Sequence, residues 1–177
     1  PWKAEVCRRA GTVHLGGSYE EIAAELQDVC AGRLPQKPFI VLAQPTLFDD
    51  SRAPEGKHAA WAYCHVPNAC DKDLSEVIEK VIEQYAPGFR DCISGRHAFS
   101  AVGMERHNAN YMGGDIGGGA ADWRQLFARP VASFNPYRTS RNDVYLCSSS
   151  TPPGGGIHGL CGYRAARVLC RSLQGDA

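Results

Sequence analysis

A glycine run set between two prolines and an apolar helix decides what the C-terminal part of this chain can be. Val144-Tyr145-Leu146-Cys147 reads as a short buried strand, and Ser148 to Gly159 runs Ser-Ser-Ser-Thr-Pro-Pro-Gly-Gly-Gly-Ile-His-Gly straight into a helix. Pro152 and Pro153 donate no backbone hydrogen bond. Gly154, Gly155 and Gly156 do, and without a Cβ they let a large group press against the main chain. The first N–H groups of a helix lack intrahelical partners and sit at the positive end of its dipole. Strand, glycine turn and helix start together make a seat for an electron-rich ligand.

Gly154, Gly156 and Gly159 also spell G-x-G-x-x-G. The dinucleotide fingerprint requires a tight turn directly after the strand, then a crossover helix, a second strand and an acidic residue about 20 positions on. Two prolines and four hydroxyl residues lengthen this turn, and the sequence ends at Ala177 soon after the helix. The segment therefore reads as ligand-facing without being the primary ADP-binding motif.

The rest of the chain reads as mixed structure. Thr12 to Leu15 is a strand. Ser18 with Glu21 forms a capping box for a helix whose apolar face is Ile22, Leu26, Val29 and Cys30, and Gly32 stops it. Phe39 to Leu42 and His58 to Tyr63 form a hairpin around the turn Ala53-Pro54-Glu55-Gly56. Leu74, Val77, Ile78, Val81, Ile82 and Tyr85 repeat at helical spacing behind Asp73 and Glu76, read as a second box. Pro87-Gly88 ends that helix, and Glu79, Lys80 and Glu83 form its solvated face. Phe99 to Met104 reads as another strand. Gly113 to Gly119 is a flexible turn before a short helix around Trp123 to Leu126.

The C-terminal helix divides into an apolar stripe (Ile157, Cys161, Ala165, Val168), a small-residue stripe (Gly159, Gly162, Ala166) and a basic edge of Arg164, Arg167 and Arg171. The arginines suit the helix dipole and read as solvated or structural.

Composition excludes several functions. Lysines plus arginines equal aspartates plus glutamates at 19 each, with no basic run, so nucleic acid is not an expected partner. No apolar stretch approaches the roughly 18 residues of a membrane span. The eight cysteines show no C-x-x-C pair, which argues against structural zinc. They read as reduced packing residues in a cytoplasmic setting, Cys147 and Cys161 as small hydrophobes. Cys64-His65 with Cys70 is the one cluster with metal-binding residue types, and no metal site is expected from it.

From Asn142 to Leu169 the chain resembles the C-terminal flavin-binding signature of the phytoene dehydrogenase-related FAD oxidoreductases. Further resemblance lies in Asp49 to His58, Trp61-Ala62-Tyr63, Tyr85 to Phe89, Asn110 to Ile116 and Arg129-Pro130, so nearly the whole chain is covered. The family often has Gly-Asp after the strand, where this chain has Ser148-Ser149-Ser150, and Pro after Arg-Thr, where Ser140 follows Arg138-Thr139.

The resemblance implies an α+β fold: a mixed β-sheet substrate domain with packed helices over 1–141, then the strand-loop-helix of a glutathione-reductase- or amine-oxidase-like FAD-binding domain over 142–177. It implies cofactor contacts at Ser148, Ser149, Ser150, Thr151, Pro153, Gly154, Gly155, Gly156, Ile157, His158 and Gly159. Tyr111, Asp115, Trp61 and Tyr63 would face substrate, with Asn110 beside them, although period-two spacing alone reads Trp61 and Tyr63 as core. His158 reads as a packing or hydrogen-bonding residue from the sequence and lies near the flavin by resemblance.

The family opens with a Rossmann unit that these 177 residues lack. The expectation is therefore the C-terminal portion of a longer FAD-dependent oxidoreductase, with the flavin accepting hydride from an apolar small molecule. No protein nucleophile is needed, and no catalytic residue is assigned. The portion alone is expected to be inactive, without FAD, and associated with a second copy of itself; peripheral membrane contact is compatible with the family. The alternative is a non-catalytic binding or assembly module that keeps the fold without FAD.

Overall fold

In the computed structural model, residues 1–120 and 122–175 are described. They form two compact units, Pro1–His107 and Asn108–Ala177. The segment 142–177, which the resemblance sets apart, thus packs in one unit with 108–141.

The first unit is built on three short strands, β1 (Thr12–Leu15), β2 (Ile40–Ala43) and β3 (Trp61–Cys64), in the order β1-β2-β3. Both pairings are antiparallel, so the sheet is not mixed as expected. Strands that follow one another in the chain also lie side by side in the sheet, and antiparallel neighbours need no crossover connection. The pleat sends alternate residues to one face, and the register sets Val13 opposite Leu42 and Leu15 opposite Ile40. All four are buried, and Trp2, Ile82 and Ala86 complete the core. Gln44 caps its edge: Oε1 accepts from Trp2 Nε1, and Nε2 donates to the Cys7 and Ala10 carbonyls, each at 2.8 Å.

Helix α1 (Tyr19–Cys30) starts at the expected capping box, with Ser18 and Glu21 each accepting from the other's backbone N–H. Its inward face differs from the expected stripe: Glu25 is 4% exposed whereas Leu26 is 46% exposed. Positions 22, 25 and 29 satisfy helical spacing as well as 22, 26 and 29, and residue type misled the choice.

Helix α2 (Ser75–Tyr85) starts without a box. Asp73 Oδ1 accepts from the Ser75 backbone N–H and hydroxyl, a local turn that occupies the carboxylate. The solvated face also needs correction. Lys80 is exposed, but Glu79 is only 6% exposed and pairs with Arg96 at 2.6 Å. Glu83 accepts from the backbone N–H groups of Gly88 (2.6 Å) and Arg90 (2.9 Å), and these bonds hold its carboxyl below the usual carboxylate range. Two of the three polar residues therefore fasten the chain that follows α2.

The strand expected over Phe99 to Met104 is instead the start of α3 (Ala101–His107). Ser100 provides the start: its Oγ accepts from Gly103 N, and its carbonyl accepts from Met104 N. Short apolar runs do not separate strand from helix by periodicity.

The second unit holds α4 (Trp123–Phe127) and α5 (Leu160–Gln174), joined by long loops. The buried strand expected at Val144 to Cys147 is not formed. Its ladder is one antiparallel bridge, Arg138 to Tyr145, and Val144 and Leu146 are 42% and 39% exposed. A strand needs a neighbour along its length to become buried, and only one pairing is made here. Cys147 is accordingly exposed, while Cys161 is buried.

Replacing Ile40 with Ala should cost about 2–5 kcal/mol, because the residue sits at the centre of the first unit's core. Ser18→Ala should cost about 1 kcal/mol through the lost cap. Urea unfolding monitored by far-ultraviolet circular dichroism measures both, and an Ile40 loss no larger than that at Ser18 would contradict this packing.

Candidate functional site

The glycine run is shaped by residues on both sides of it. Thr151, fully buried, donates its hydroxyl to the Ser148 carbonyl at 2.8 Å, and its own carbonyl accepts from Gly154 N at 2.8 Å. Ser150 N donates to Ser148 Oγ. The Tyr137 hydroxyl donates to the Pro152 carbonyl at 2.8 Å. Cys161, at the foot of α5, donates its thiol toward the carbonyls of Thr151 and Gly154. These contacts fold Ser148 to Gly154 into one tight turn.

Arg129 holds that turn against a second glycine-rich loop. Its Nη2 donates to the Gly117 carbonyl (2.8 Å), Nη1 to that of Ala120 (3.2 Å), and Nε to that of Ser149 (3.0 Å). All three acceptors are neutral, so none of these bonds cancels the guanidinium charge. The loops meet so closely at Gly118, whose φ is +75°, that a Cβ there would lie 2.5 Å from Ser149 Oγ. Asp115 organises the same loop: its two carboxylate oxygens accept from Gly117 N and Gly119 N, both at 2.7 Å.

A cavity of about 180 Å³ opens beside the turn. Ser149, Gly154, Gly155, Gly156, His158 and Gly159 line it, together with Cys147, Cys161 and Gly162. Among the described residues, the N–H groups of Gly155 and Gly156 have no hydrogen-bond partner. The helix does not begin on the glycines: α5 starts at Leu160, with Gly159 as its cap at φ +63°. The free donors at the ligand seat are therefore those of an extended loop, and the helix stands one turn behind.

Six of the eleven residues expected to contact cofactor thus share one cavity. Ser148, Ser150 and Thr151 support its turn from outside the lining, Pro153 is exposed, and Ile157 points fully into solvent. Ile157 therefore does not begin the apolar stripe of α5, which starts at Cys161 and continues through Ala165.

None of the four residues expected to face substrate is part of this cavity's lining. Asp115 is occupied by its own loop, Tyr111 is half-buried one short turn before it, and Asn110 bonds Asn108. Trp61 and Tyr63 lie in the other unit on β3, their rings 5.1 Å apart. Trp61 is 56% exposed, so this pair is not the core its spacing suggested.

Sequence reasoning missed Arg129 as the brace and Cys147 as part of the lining. Arg129 stands beside a proline in an otherwise ordinary segment, and the carbonyls it binds are invisible to residue patterns. At the other cysteine cluster, burial, the Glu25 carboxylate and Cys70 push the Cys64 thiol up to about 11. It is protonated at neutral pH and correspondingly unreactive. Among the described residues, no group of three or more His, Cys, Asp or Glu side chains is placed to hold a metal ion.

No protein-family model matches the chain. It is 34% identical over 176 residues to pyridine nucleotide-disulfide oxidoreductase domain-containing protein 2 of Mus musculus, covering 92% of this chain and 30% of that protein. The Rattus norvegicus protein of that name matches with the same identity and coverage. A 4,4'-diapolycopen-4-al dehydrogenase of Metabacillus indicus is 27% identical over 150 residues, 81% of this chain and 29% of that protein. Each of these relatives carries an oxidoreductase or dehydrogenase name. The chain spans about 30% of the length of these curated relatives. No helix among the described residues is long and apolar enough to cross a membrane.

The contact at Gly118 gives a stability test. Gly118→Ala should destabilise the second unit by about 1–3 kcal/mol, since the new methyl meets Ser149 and the backbone is left-handed. Gly162→Ala, inside α5 with nothing within 4 Å of the new Cβ, should stabilise by about 0.5–1 kcal/mol. Thermal melts followed by tyrosine and tryptophan signals separate the two, and equal effects would contradict the close approach of the loops.

Proposed function

We propose that this chain is the C-terminal, flavin- and substrate-contacting portion of an FAD-dependent oxidoreductase of the phytoene dehydrogenase-related kind. The observation that carries the reading is the pair of unpartnered N–H groups at Gly155 and Gly156, lining one cavity with His158.

The residues fit such a group at one edge. At about 180 Å³ the cavity is smaller than the roughly 300–1,000 Å³ that encloses a whole ligand of this size, so it suits one edge of the ring system. Gly154 and Gly156 have φ of +101° and +150°, and a Cβ on Gly156 would come within 2.7 Å of the His158 ring. Backbone at this position is bare because the conformation and the neighbouring imidazole both demand it. Oxygen and ring-nitrogen acceptors suit the two free N–H donors. The uncancelled charge of Arg129, behind the turn, adds a favourable field for electron-rich groups.

When bound, the flavin would supply the hydride acceptor for an apolar substrate. The protein's part is to place and to polarise. Gly155 and Gly156 hold acceptor atoms, Ser149 offers a hydroxyl where relatives in this family have an acid, and Arg129 keeps the turn from shifting. Asp115 is better assigned to the scaffold, because both its oxygens are already occupied by N–H groups of its loop. Tyr111 remains a proposed apolar substrate contact, as do Trp61, which is exposed, and Tyr63, which is half-buried.

The test uses the full-length polypeptide that carries this portion. Gly156→Val should lose at least about tenfold in bound flavin, read as absorbance per protein after gel filtration, because the branched side chain resists the turn and meets His158. Lys80→Gln, on an exposed helix position of the other unit, should keep full occupancy. Full flavin content in a normally folded Gly156→Val protein would overturn the reading.

A further inference from the structure

His158 lies on the cavity wall with its two ring nitrogens in different situations. Nδ1 is 3.0 Å from the backbone nitrogen of Leu160 and accepts its hydrogen. A ring nitrogen that accepts a hydrogen bond carries no proton, so the ring proton sits on Nε2. Among the described residues Nε2 has no hydrogen-bond partner. The Cδ2–Nε2 edge rests on Gly156, where a Cβ would lie 2.7 Å from Cδ2 and 3.0 Å from Nε2. The first free N–H of α5 is thus spent on fixing an imidazole tautomer.

We propose that His158 is the side-chain hydrogen-bond donor of the cavity, locked in the Nε2–H tautomer by Leu160. It recognises an acceptor-bearing edge of a planar heteroaromatic ligand, a carbonyl oxygen or an unprotonated ring nitrogen, lying along Gly155 and Gly156. The inference rests on the flavin reading above and deepens it. Three donors then line one edge: two backbone N–H groups, which survive any substitution but proline, and one side chain that can be replaced. The tautomer also excludes His158 as a proton acceptor through Nδ1 while the Leu160 bond is made. Gly156 belongs to the same device, since any side chain there would displace the imidazole from its seat.

Two measurements test it. In the 177-residue chain, long-range ¹H–¹⁵N correlation at mildly alkaline pH should show the ring that disappears in His158→Gln with Nδ1 bare and Nε2 protonated. A protonated Nδ1 overturns the proposal.

In the full-length flavin-loaded polypeptide, three variants separate the roles of the two nitrogens. His158→Asn keeps an acceptor near Leu160 N–H but has no donor at the reach of Nε2. His158→Gln carries a donor at about that reach, and His158→Phe carries none. Flavin should dissociate roughly three- to tenfold more readily from the Asn and Phe variants, the range for one neutral hydrogen bond. Their visible flavin bands should shift, and Gln should restore most of both properties. Bands and retention unchanged in Asn and Phe overturn the proposal while leaving the flavin reading intact. A wild-type protein that carries no flavin refutes that reading, and this one with it, whatever the tautomer.

Discussion

One guanidinium holds the second unit's loops together. Between α4 and α5 the described chain forms no sheet, only a single bridge, so its shape depends on bonds between loops. Arg129 supplies three of them, to Gly117, Ala120 and Ser149. Hydrogen bonds from a charged donor are worth about 1.5–3 kcal/mol each, roughly double the neutral kind. That is enough to set two glycine-rich segments, individually among the most flexible kinds of chain, into one arrangement. Glycine at 118 allows the approach, and arginine at 129 makes it persist.

The cavity follows from that brace. With Ser149 fixed, Thr151 and Cys161 close the turn from beneath, and Gly154 to Gly156 are left as bare backbone on its rim. The N–H groups of Gly155 and Gly156 remain unspent because the turn's internal bonds end at Gly154. The first unit works by a different principle. There a central strand, β2, buries Ile40 and Leu42 between two neighbours, and stability comes from apolar packing rather than from a polar hub.

How much of this could be read from the sequence depended on range. Thr12 to Leu15 and the box at Ser18 and Glu21 are local features, set by alternation and by two residues three apart, and both appear as expected. The glycine turn was legible as a place of close approach for the same reason. Glu79 was not: amphipathic logic sends a glutamate outward, and its burial is offset by two arginines beyond the helix, Arg96 at 2.6 Å and Arg90 at 3.8 Å. Val144 to Cys147 has a strand's composition but lacks a partner along its length, which is a fact about the rest of the chain. The start of α5 at Leu160 rather than among the glycines was equally hidden, since Gly156 and Gly159 adopt left-handed conformations that only glycine accepts readily. The carbonyls that Arg129 binds leave no trace in residue type at all.

The most direct measurement of the central claim is amide hydrogen exchange in the wild-type chain and in Arg129→Lys. Lysine keeps the charge but has one compact donor head, which cannot reach three carbonyls spread over two loops. Exchange at Thr151 and Gly154, whose N–H groups donate inside the turn, should rise by about ten- to a hundredfold, the equivalent of one lost charge-assisted bond. Amides of Val13 and Leu42, in the sheet of the first unit, should be unaffected. Protection of the turn unchanged in Arg129→Lys would show that the loops hold their shape without the guanidinium, and would contradict the account.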